Sequence, residues 1–524
     1  MTIKLSTPGM TSLHKAGLAG LYMTLRTFDE RREKIEGLEW RLDNKQVALQ
    51  WTPKTIKTSF EQLIAKSFWL DDEGFIRLAG LEPTTTPTLG QRHHLYTALL
   101  NSFLQFGPHR PTDSKRALSY EVDERVCWIK EFAPITKFRH QDAAKDFVET
   151  QGSFKDSIEA AGWLYPGGGQ RHVAHANTKL SEPLELALPL LFAPVGVIYY
   201  ALKSRIKGRK ARLAMLIPEV QDLKLYADMR RVIATEGVLE MTASGASDAA
   251  LRFITAIEAN RASNEFAELG NGSFLCRVVT FGIVSWNEKQ KSRTYTRSVV
   301  SGELLGLENY RIAAALFKNR WQLVKEKRDR KGNVTEPERY FVTTYSAREF
   351  IAENIAQGRV WYHDLATYMN VREAREQLLY ERKEMHEMIE KAVFDDERER
   401  NFIRVCHESW RRRLGKLGER ARRENTSFTA LVRKDAEKLR TALARSKNAD
   451  TLRETVVDFW ARGGANPHLQ GDGLLKLLPL FDEKNWRKSR DLALLALISY
   501  QPQSPEEEAA LTAATNIEEG ENDE

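Results

Sequence analysis

The sequence has few cysteines and lacks the common catalytic signatures. Only 3 of its 524 residues are cysteine, at positions 127, 276 and 406. They lie too far apart for a zinc-ligand spacing or a disulfide framework, and they suit a reducing cytoplasm. The phosphate-binding pattern GxxxxGK[ST], the nucleophile pattern GxSxG and the zinc pattern HExxH are absent. We therefore expect a protein that needs no cofactor and catalyses no reaction.

Long hydrophobic runs are also scarce. The uncharged stretch 186–202 has fewer than the roughly 20 residues that a membrane-spanning helix requires, and two prolines interrupt it. It predicts a buried strand pair. Residues 17–25 resemble a signal-peptide core, but no small-residue cleavage site follows them. We expect neither export nor a membrane partner.

Positive charge is in excess but unevenly distributed. The chain carries a net charge of +7, although residues 501–524 contain eight acidic residues and no Lys or Arg. Residues 398–447 contain 16 Lys and Arg against 6 Asp and Glu, without the Gly, Ser and Pro bias of a disordered arm. This block predicts a folded surface that binds a polyanion, because neutralising phosphates releases counterions. The alternative is an ordinary solvated helical face.

Hydrophobic periodicity divides the chain into three parts. Residues 1–380 mix helical and strand patterns and predict a large domain with β-hairpins. Residues 381–500 predict consecutive amphipathic helices that form an all-α bundle, and residues 501–524 predict an acidic disordered tail. The predicted fold class is therefore α+β.

Several segments carry sharper predictions. Thr11 and Ser12 predict the start of a helix over 13–26. In this helix, Gly17 and Gly20 permit close packing. Further predictions are hairpins within 40–51, within 68–78 and between 321–329 and 339–345, strands over 212–220 and 273–286, and a helix over 155–161.

A glycine-rich segment over 163–179 is the candidate for reading DNA. Three consecutive glycines let the backbone approach a duplex, and short polar side chains pair with base edges. The predicted base-reading residues are Gln170, Arg171, His172 and Asn177, with Lys179 on a phosphate. The alternative is an ordinary glycine loop.

Two further segments are candidates for contacting nucleic-acid phosphates. On a strand, the basic residues of 286–297 project to one side together with Tyr295, which suits backbone tracking with base stacking. The alternative is a charged edge strand that prevents aggregation. The second segment is a hairpin tip, whose alternative is a solvated turn. The predicted residues are Lys289, Lys291, Arg293 and Arg297 on the strand, and Lys327, Arg328, Arg330 and Lys331 at the tip.

The basic block itself predicts a helical stripe. Positions 413, 416, 420 and 423 recur at helical spacing, with Leu414, Leu417 and Ala421 on the inward side. No helix-turn-helix, RRM or zinc finger is evident, so we expect backbone tracking rather than base readout. The predicted residues for single-stranded DNA are Arg411, Arg412, Arg413, Lys416, Arg420, Arg423, Arg433 and Lys434.

The competing interpretation is a metal-dependent nuclease. His363 and Asp364 form the HD doublet that lies at the centre of some metal phosphohydrolase sites. Such a site needs further His and Asp ligands, and none stands out in the sequence. A third interpretation is a generic RNA-binding scaffold that does not contact DNA.

Three stretches resemble a known family. They are TPGMTSLHKAGLAGL (7–21), APVGVIYYAL (193–202) and CRVVTFGIVSWNEKQKSRT (276–294). They are similar to the large subunit of a type I CRISPR interference (Cascade) complex, in its type I-B, Myxan-like variant. The resemblance spans nearly the whole chain, and its positions are packing residues rather than catalytic ones.

The resemblance implies a non-catalytic subunit of a prokaryotic cytoplasmic ribonucleoprotein in antiviral defence. The N-terminal domain would contact the guide 5′ handle, recognise the protospacer-adjacent motif (PAM) on double-stranded DNA and start strand separation. The helical bundle would resemble the small subunit and hold the displaced strand of the R-loop. The implied partners are the guide CRISPR RNA, the target DNA, the backbone, handle-binding and small subunits, and a recruited helicase-nuclease or transposition factors.

Some related genes also produce a separate small subunit from an internal start. Met385 and Met388 precede the helical block, and starts there would give products of 140 or 137 residues. We predict such a product.

Overall fold

The computed structural model describes residues 1–82, 86–103, 116–122, 125–160, 163–166, 180–206, 211–262, 275–282, 295–300, 304–336 and 338–513. The chain divides into two compact units. The first comprises 1–203, 209–303 and 319–343, and the second comprises 204–208, 304–318 and 344–524. The first unit combines sheets and helices and the second is helical, so the α+β prediction is confirmed.

Every described strand lies in the first unit. In chain order the strands are β1 (Thr2–Lys4), β2 (Leu38–Asp43), β3 (Gln46–Trp51), β4 (Phe68–Leu70), β5 (Ile76–Leu78), β6 (Arg116–Val122), β7 (Arg125–Phe132), β8 (Ser157–Glu159), β9 (Ser181–Pro183), β10 (Ile198–Leu202), β11 (Ala211–Pro218), β12 (Thr242–Ala243), β13 (Leu275–Gly282), β14 (Tyr295–Val300), β15 (Arg320–Val324), β16 (Lys327–Arg328), β17 (Val334–Glu336) and β18 (Arg339–Thr343).

The helices continue through both units. Those of the first unit are α1 (Ser12–Glu30), α2 (Ile56–Ser67), α3 (Leu89–Ser102), α4 (Ala144–Phe147), α5 (Leu184–Leu191), α6 (Ala193–Gly196), α7 (Leu223–Ala234) and α8 (Ala246–Ala262). Those of the second unit are α9 (Leu307–Leu316), α10 (Ser346–Ile355), α11 (Leu365–Tyr368), α12 (Arg372–Tyr380), α13 (Arg382–Lys391), α14 (Glu397–Glu424), α15 (Phe428–Arg445), α16 (Ala449–Gly463), α17 (Gly473–Leu477), α18 (Trp486–Ser499) and α19 (Pro505–Ala513). Among these helices, none is both long enough and apolar enough to cross a lipid bilayer.

A five-stranded sheet with the order β12-β10-β11-β13-β14 forms the largest sheet of the first unit. Strands β10 and β12 run parallel, whereas the other neighbours are antiparallel. The apolar pattern predicted strands over 212–220 and 273–286, and β11 and β13 occupy the described part of both segments. Strand β14 is at the edge of this sheet.

Helix α1 lies in the core of the first unit, as its sequence predicted. A Cβ atom on Gly17 would lie 2.0 Å from the carbonyl oxygen of Pro189, and one on Gly20 would lie 2.2 Å from that of Phe192. Both distances are far below van der Waals contact, so only glycine allows α5 and α6 to pack directly on the backbone of α1. Close packing through these glycines is confirmed.

The predicted strand pair over 186–202 is wrong for most of that segment. Leu184–Leu191 and Ala193–Gly196 are helical, and only Ile198–Leu202 forms a strand. A continuous apolar run has no periodicity that separates a buried strand from a buried helix. The packing of this segment on the glycines of α1 is a tertiary feature that the run itself does not show.

The helix predicted over 155–161 is also wrong. Ser157–Glu159 forms β8, which pairs antiparallel with β9 (Ser181–Pro183). Because the partner strand is more than twenty residues away, local propensity alone does not reveal the pairing.

The predicted hairpins are confirmed. Strands β2 and β3 pair over Leu38–Trp51, and β4 pairs with β5. The third hairpin pairs β15 with β18 and, nearer its tip, β16 with β17. It turns at Gly332, whose φ of +83° favours glycine.

The second unit extends further toward the N-terminus than the boundary predicted at 381. Its continuous part begins at Thr344. The carboxylate of Glu381 accepts the backbone N–H groups of Ser346 and Ala347 at 2.8 and 2.7 Å. This buried contact caps the start of α10 and joins it to the residues that precede α13.

The acidic tail is not disordered along its whole predicted length. Residues 505–513 form α19, which packs against α15. Ala510 and Leu511 are buried, whereas the acidic first turn contains Glu506, Glu507 and Glu508. These two apolar side chains form a packing face, which the number of acidic residues in the tail did not indicate. Residues 514–524 lie outside the described residues.

Candidate nucleic-acid interface

The basic block of the sequence folds into the neighbouring helices α14 and α15. The side chain of Asp396 caps α14, and the left-handed Asn425 (φ 48°) ends it. The hydroxyl of Ser427 then accepts the N–H of Ala430 and starts α15. These are standard helix caps, and they explain why the helical segment is interrupted at 425–427.

One side of α14 is apolar and fixes which way its basic residues face. Trp410, Leu414 and Leu417 are each at most 3% exposed, and Ala421 is 7% exposed. The inward stripe predicted for this helix is therefore confirmed. The basic side chains are left on the remaining surface.

Arg413 differs from the other members of the predicted stripe. Its guanidinium donates two hydrogen bonds to the carboxylate of Asp435 on α15, both 2.8 Å long. Both side chains are about one-fifth exposed. Donation of these hydrogen bonds to the Asp435 carboxylate raises the pKa of Arg413, so it stays cationic. This pair fixes the register of the two helices, and the predicted contact of Arg413 with single-stranded DNA stays a prediction.

Arg411 and Arg412 share one acidic neighbour. Both donate to the carboxylate of Glu408 one turn earlier on α14. The hydrogen bond from Arg411 is the largest cause that lowers the pKa of Glu408, to about 2. Because Glu408 is then ionised at neutral pH, these three residues together carry a charge of +1.

Lys416, Arg420 and Arg423 lie on the exposed side but also have partners. The Lys416 ammonium donates to the carbonyl oxygen of Arg462 at 2.9 Å, at the end of α16. Arg420 and Arg423 both approach Glu424, at 2.9 and 3.8 Å. Such exposed pairs contribute little stability and exchange readily for another anion.

The cations without an acidic partner lie mainly on α15. Arg433 and Lys434 are exposed, and no acidic side chain of the described residues forms an ion pair with either. The same holds for Lys438 and for Arg422 near the end of α14. The sequence predicted Arg433 and Lys434 as contacts to single-stranded DNA. It did not indicate that these two, rather than Arg413, would have no carboxylate partner among the described residues. We refer to Arg422, Arg433, Lys434 and Lys438 as the open cation cluster.

The hairpin tip of the first unit is a second basic surface. The carboxylate of Asp329 accepts the N–H groups of Lys331 and Asn333 and closes the turn. Hydrogen bonding to Asn333 lowers the pKa of Asp329. Arg328 pairs with Glu326 at 2.7 Å. The tip, including Lys327, Arg328, Arg330 and Lys331, is exposed throughout.

The remaining predicted contacts lie largely outside the described residues. These are Gln170, Arg171, His172, Asn177, Lys179, Lys289, Lys291 and Arg293. Arg297 belongs to the edge strand β14, where it is the register partner of Val278. These residues stay predictions.

The HD doublet has a structural role in the second unit. Asp364 adopts the left-handed conformation (φ 57°) before α11, and its carboxylate accepts the hydroxyl of Thr367. Its N–H donates to Asp491, whose pKa burial raises to about 6. Across the part of the chain that the structure describes, no group of three or more His, Cys, Asp or Glu could hold a metal ion. The ligand set needed by the nuclease interpretation is thus not present there.

Comparison with known proteins covers both units. Residues 2–191 match the DevT N-terminal domain, and residues 390–524 match the DevT C-terminal domain, which includes α14 and α15. The CRISPR-associated protein Cas8a1/Csx13 of Myxococcus xanthus (strain DK1622) is 28% identical over 530 residues, which is 96% of this chain and 88% of that protein. With both DevT domains in chain order and this similarity along nearly its whole length, the chain belongs to the Cas8-type family of large subunits of type I CRISPR effector complexes.

Proposed function

We propose that α14 and α15 hold the DNA strand that is displaced when the guide RNA pairs with its target. The observation that carries this proposal is the open cation cluster. Its four exposed cations have no carboxylate partner among the described residues, and they lie on two helices whose register the Arg413–Asp435 pair fixes. A rigid array of free cations neutralises phosphates without first losing an internal ion pair. Backbone contact of this kind is independent of sequence, which suits a strand of any sequence.

The first unit is proposed to act on the duplex and on the guide. Gln170, Arg171, His172 and Asn177 would read the PAM and start strand separation, because amide and guanidinium groups pair with base edges. Lys179, the basic residues of 289–297 and the exposed hairpin tip would contact duplex or guide-handle phosphates. Their support is the chemistry of the side chains and, for the tip, the exposure of its basic residues.

The chain is proposed to break no bond itself. It would act with the guide CRISPR RNA, the backbone, handle-binding and small subunits, and a recruited helicase-nuclease or transposition factors. The guide reads sequence by base pairing, while this subunit supplies geometry and charge.

The salt dependence of single-stranded DNA binding tests the displaced-strand proposal. The variant Arg422→Gln, Arg433→Gln, Lys434→Gln removes three open cations. If each contacts one phosphate, the slope of log K against log salt should become shallower by about 2, at roughly 0.7 per contact. The matched control is Arg359→Gln, Lys383→Gln, Lys484→Gln, which removes the same charge from exposed positions elsewhere in the second unit.

The control should keep the wild-type slope. Equal changes in both variants would show that only net charge matters and would contradict the proposed site. Binding to guide RNA with no affinity for DNA would favour the RNA-scaffold alternative instead.

A further inference from the structure

Helix α19 brings negative charge to the basic surface of the second unit. It packs against α15, the helix that carries three of the four members of the open cation cluster. Its first turn contains Glu506, Glu507 and Glu508. An acidic helix is therefore docked on one of the two helices that are proposed to hold DNA.

Two of these carboxylates act on cations of other helices. Hydrogen bonding to Glu408 is the largest cause that raises the pKa of Arg411 on α14, and the negative charge of Glu507 contributes to the same shift. On α13, burial lowers the pKa of Arg382 to about 10, and the charge of Glu508 opposes this shift. Helix α19 thus places a carboxylate near Arg411, a predicted contact to single-stranded DNA.

Glu507 is held by donors that carry no charge. The hydroxyl of Tyr500 and the backbone N–H of Gln503 donate to its carboxylate at 3.4 and 2.8 Å. Its own N–H donates to the hydroxyl of Ser504 at 3.2 Å, which caps the start of α19. Because neither donor neutralises the carboxylate, its charge stays available to nearby cations.

The packing face of α19 is small. Among the side chains that the structure describes on this helix, at 505–511, only Ala510 and Leu511 are buried. A helix of 9 residues is too short to be stable alone in water. Elements with few buried apolar contacts open at a low free-energy cost. We therefore expect α19 to detach far more readily than the bundle unfolds.

We propose that α19 is a displaceable acidic cover that competes with single-stranded DNA for the basic surface of α14 and α15. This inference rests on the displaced-strand proposal and adds a regulation of the same site. Residues 500–504 tether α19 to α18, so its carboxylates act at a high effective concentration. A strand presented by the assembled complex shares that advantage, whereas free nucleic acid lacks it. The cover would thus suppress binding of unrelated nucleic acid.

Binding of single-stranded oligothymidylate to the full chain tests the cover. Leu511→Ser removes the larger of the two buried apolar side chains and leaves the net charge unchanged. A cover that is closed for about 90% of the time lowers the apparent affinity about tenfold, so this variant should bind up to about tenfold more tightly than the wild type. The control Leu475→Ser changes a side chain that is 63% exposed on α17, and it should keep the wild-type affinity.

A second variant removes the negative charge and keeps the helix caps. In Glu506→Gln, Glu507→Gln, Glu508→Gln, the amide oxygen at 507 still accepts the two donors that hold this side chain. The affinity should rise more than in a control that removes the same charge from exposed positions on other elements of the second unit. This control is Glu454→Gln, Asp472→Asn, Glu483→Gln. The comparison decides the matter even if Leu511→Ser fails to fold.

Hydrogen exchange of the wild-type chain measures the displacement itself. When oligothymidylate is added, the backbone amides of α19 should exchange faster, because the helix leaves the surface and unfolds. The amides of α14 and α15 should not exchange faster.

Three results would overturn the proposal. They are wild-type affinity in folded Leu511→Ser, equal gains in the glutamine variant and its control, and unchanged or slower exchange of α19 with DNA bound. A failure of the displaced-strand proposal itself looks different. In that case the loss of three open cations would leave DNA binding unchanged in both the wild type and Leu511→Ser, and the cover would be rejected with it.

Discussion

At the residue scale, two arginines of the same basic block have opposite environments. Arg413 is four-fifths buried against Asp435, whereas Arg433 is exposed and has no acidic partner among the described residues. One stabilises the contact between two helices, and the other is available to a phosphate. Residue type and spacing alone do not separate these roles.

Replacing each arginine with glutamine tests its contribution to folding stability separately from its contribution to DNA binding. Arg413→Gln should lower the free energy of unfolding by about 1–2 kcal/mol, because a partly buried two-bond ion pair is lost. Arg433→Gln should leave it unchanged and weaken single-stranded DNA binding. Denaturant unfolding and a binding titration measure both effects, and equal destabilisation by the two changes would contradict the assignment.

Glu381 gives the second unit a pH-dependent stability. Burial raises its pKa to about 7, against about 4.3 in an unfolded chain. The folded state therefore keeps a proton that the unfolded state loses as pH rises above 4.3. This stabilising contribution is complete below about pH 4.3 and is lost as pH rises through 7.

The difference between wild type and Glu381→Gln isolates this effect. The variant should become more stable relative to wild type by about 3 kcal/mol between pH 4 and 7.5. A difference is needed because burial lowers the pKa values of His94 and His407 to about 4, which acts in the opposite direction. The exposed Glu419→Gln serves as control, and a flat difference for Glu381→Gln would refute the buried-proton explanation.

At the scale of elements, close helix packing makes one glycine essential and leaves another replaceable. Gly17→Ala should destabilise the first unit by about 3 kcal/mol or more, because its Cβ would overlap the carbonyl oxygen of Pro189. Gly415→Ala on α14 should instead stabilise by about 0.5–1 kcal/mol, since its Cβ meets nothing within 4 Å. Thermal unfolding distinguishes the two, and a tolerated Gly17→Ala would disprove the packing of α1 on α5.

Helix α13 contains both methionines that could start an internal product. Met385 and Met388 are fully buried, so leucine is the substitution that best preserves their packing. The double change to leucine should remove a band of about 140 residues from the purified complex while the full chain stays folded. Met369→Leu, also at a buried site, should leave the band in place; persistence of the band in the double variant would reject the internal start.

Local signals explain which elements the sequence predicted. The break between α14 and α15 follows from the helix caps at Asn425 and Ser427. The hairpin turn follows from Gly332, because glycine readily adopts the positive φ found there. The pairing of Arg413 with Asp435, 22 residues apart, follows from helix register and has no local signal. The segment 184–191 likewise packs on a distant glycine, Gly17, and its continuous apolar run suggested the wrong element because such a run has no periodicity.

At the scale of the whole molecule, the two units carry different parts of the proposed function. The first unit contains the sheets and the basic hairpin tip, and the second contains the helices with the open cation cluster. The DevT domain matches lie within these units in the same order. Two of the stretches that carry the family resemblance, 7–21 and 193–202, are largely buried in the first unit.

Photocrosslinking of the assembled guide-RNA complex on target DNA tests the central claim most directly. Crosslinks would be located on the chain by mass spectrometry, with the label placed in the displaced strand. The account predicts crosslinks within 411–438, on the surface that carries the open cation cluster. Crosslinks from that surface only to protein subunits, with the displaced strand attached elsewhere, would contradict it.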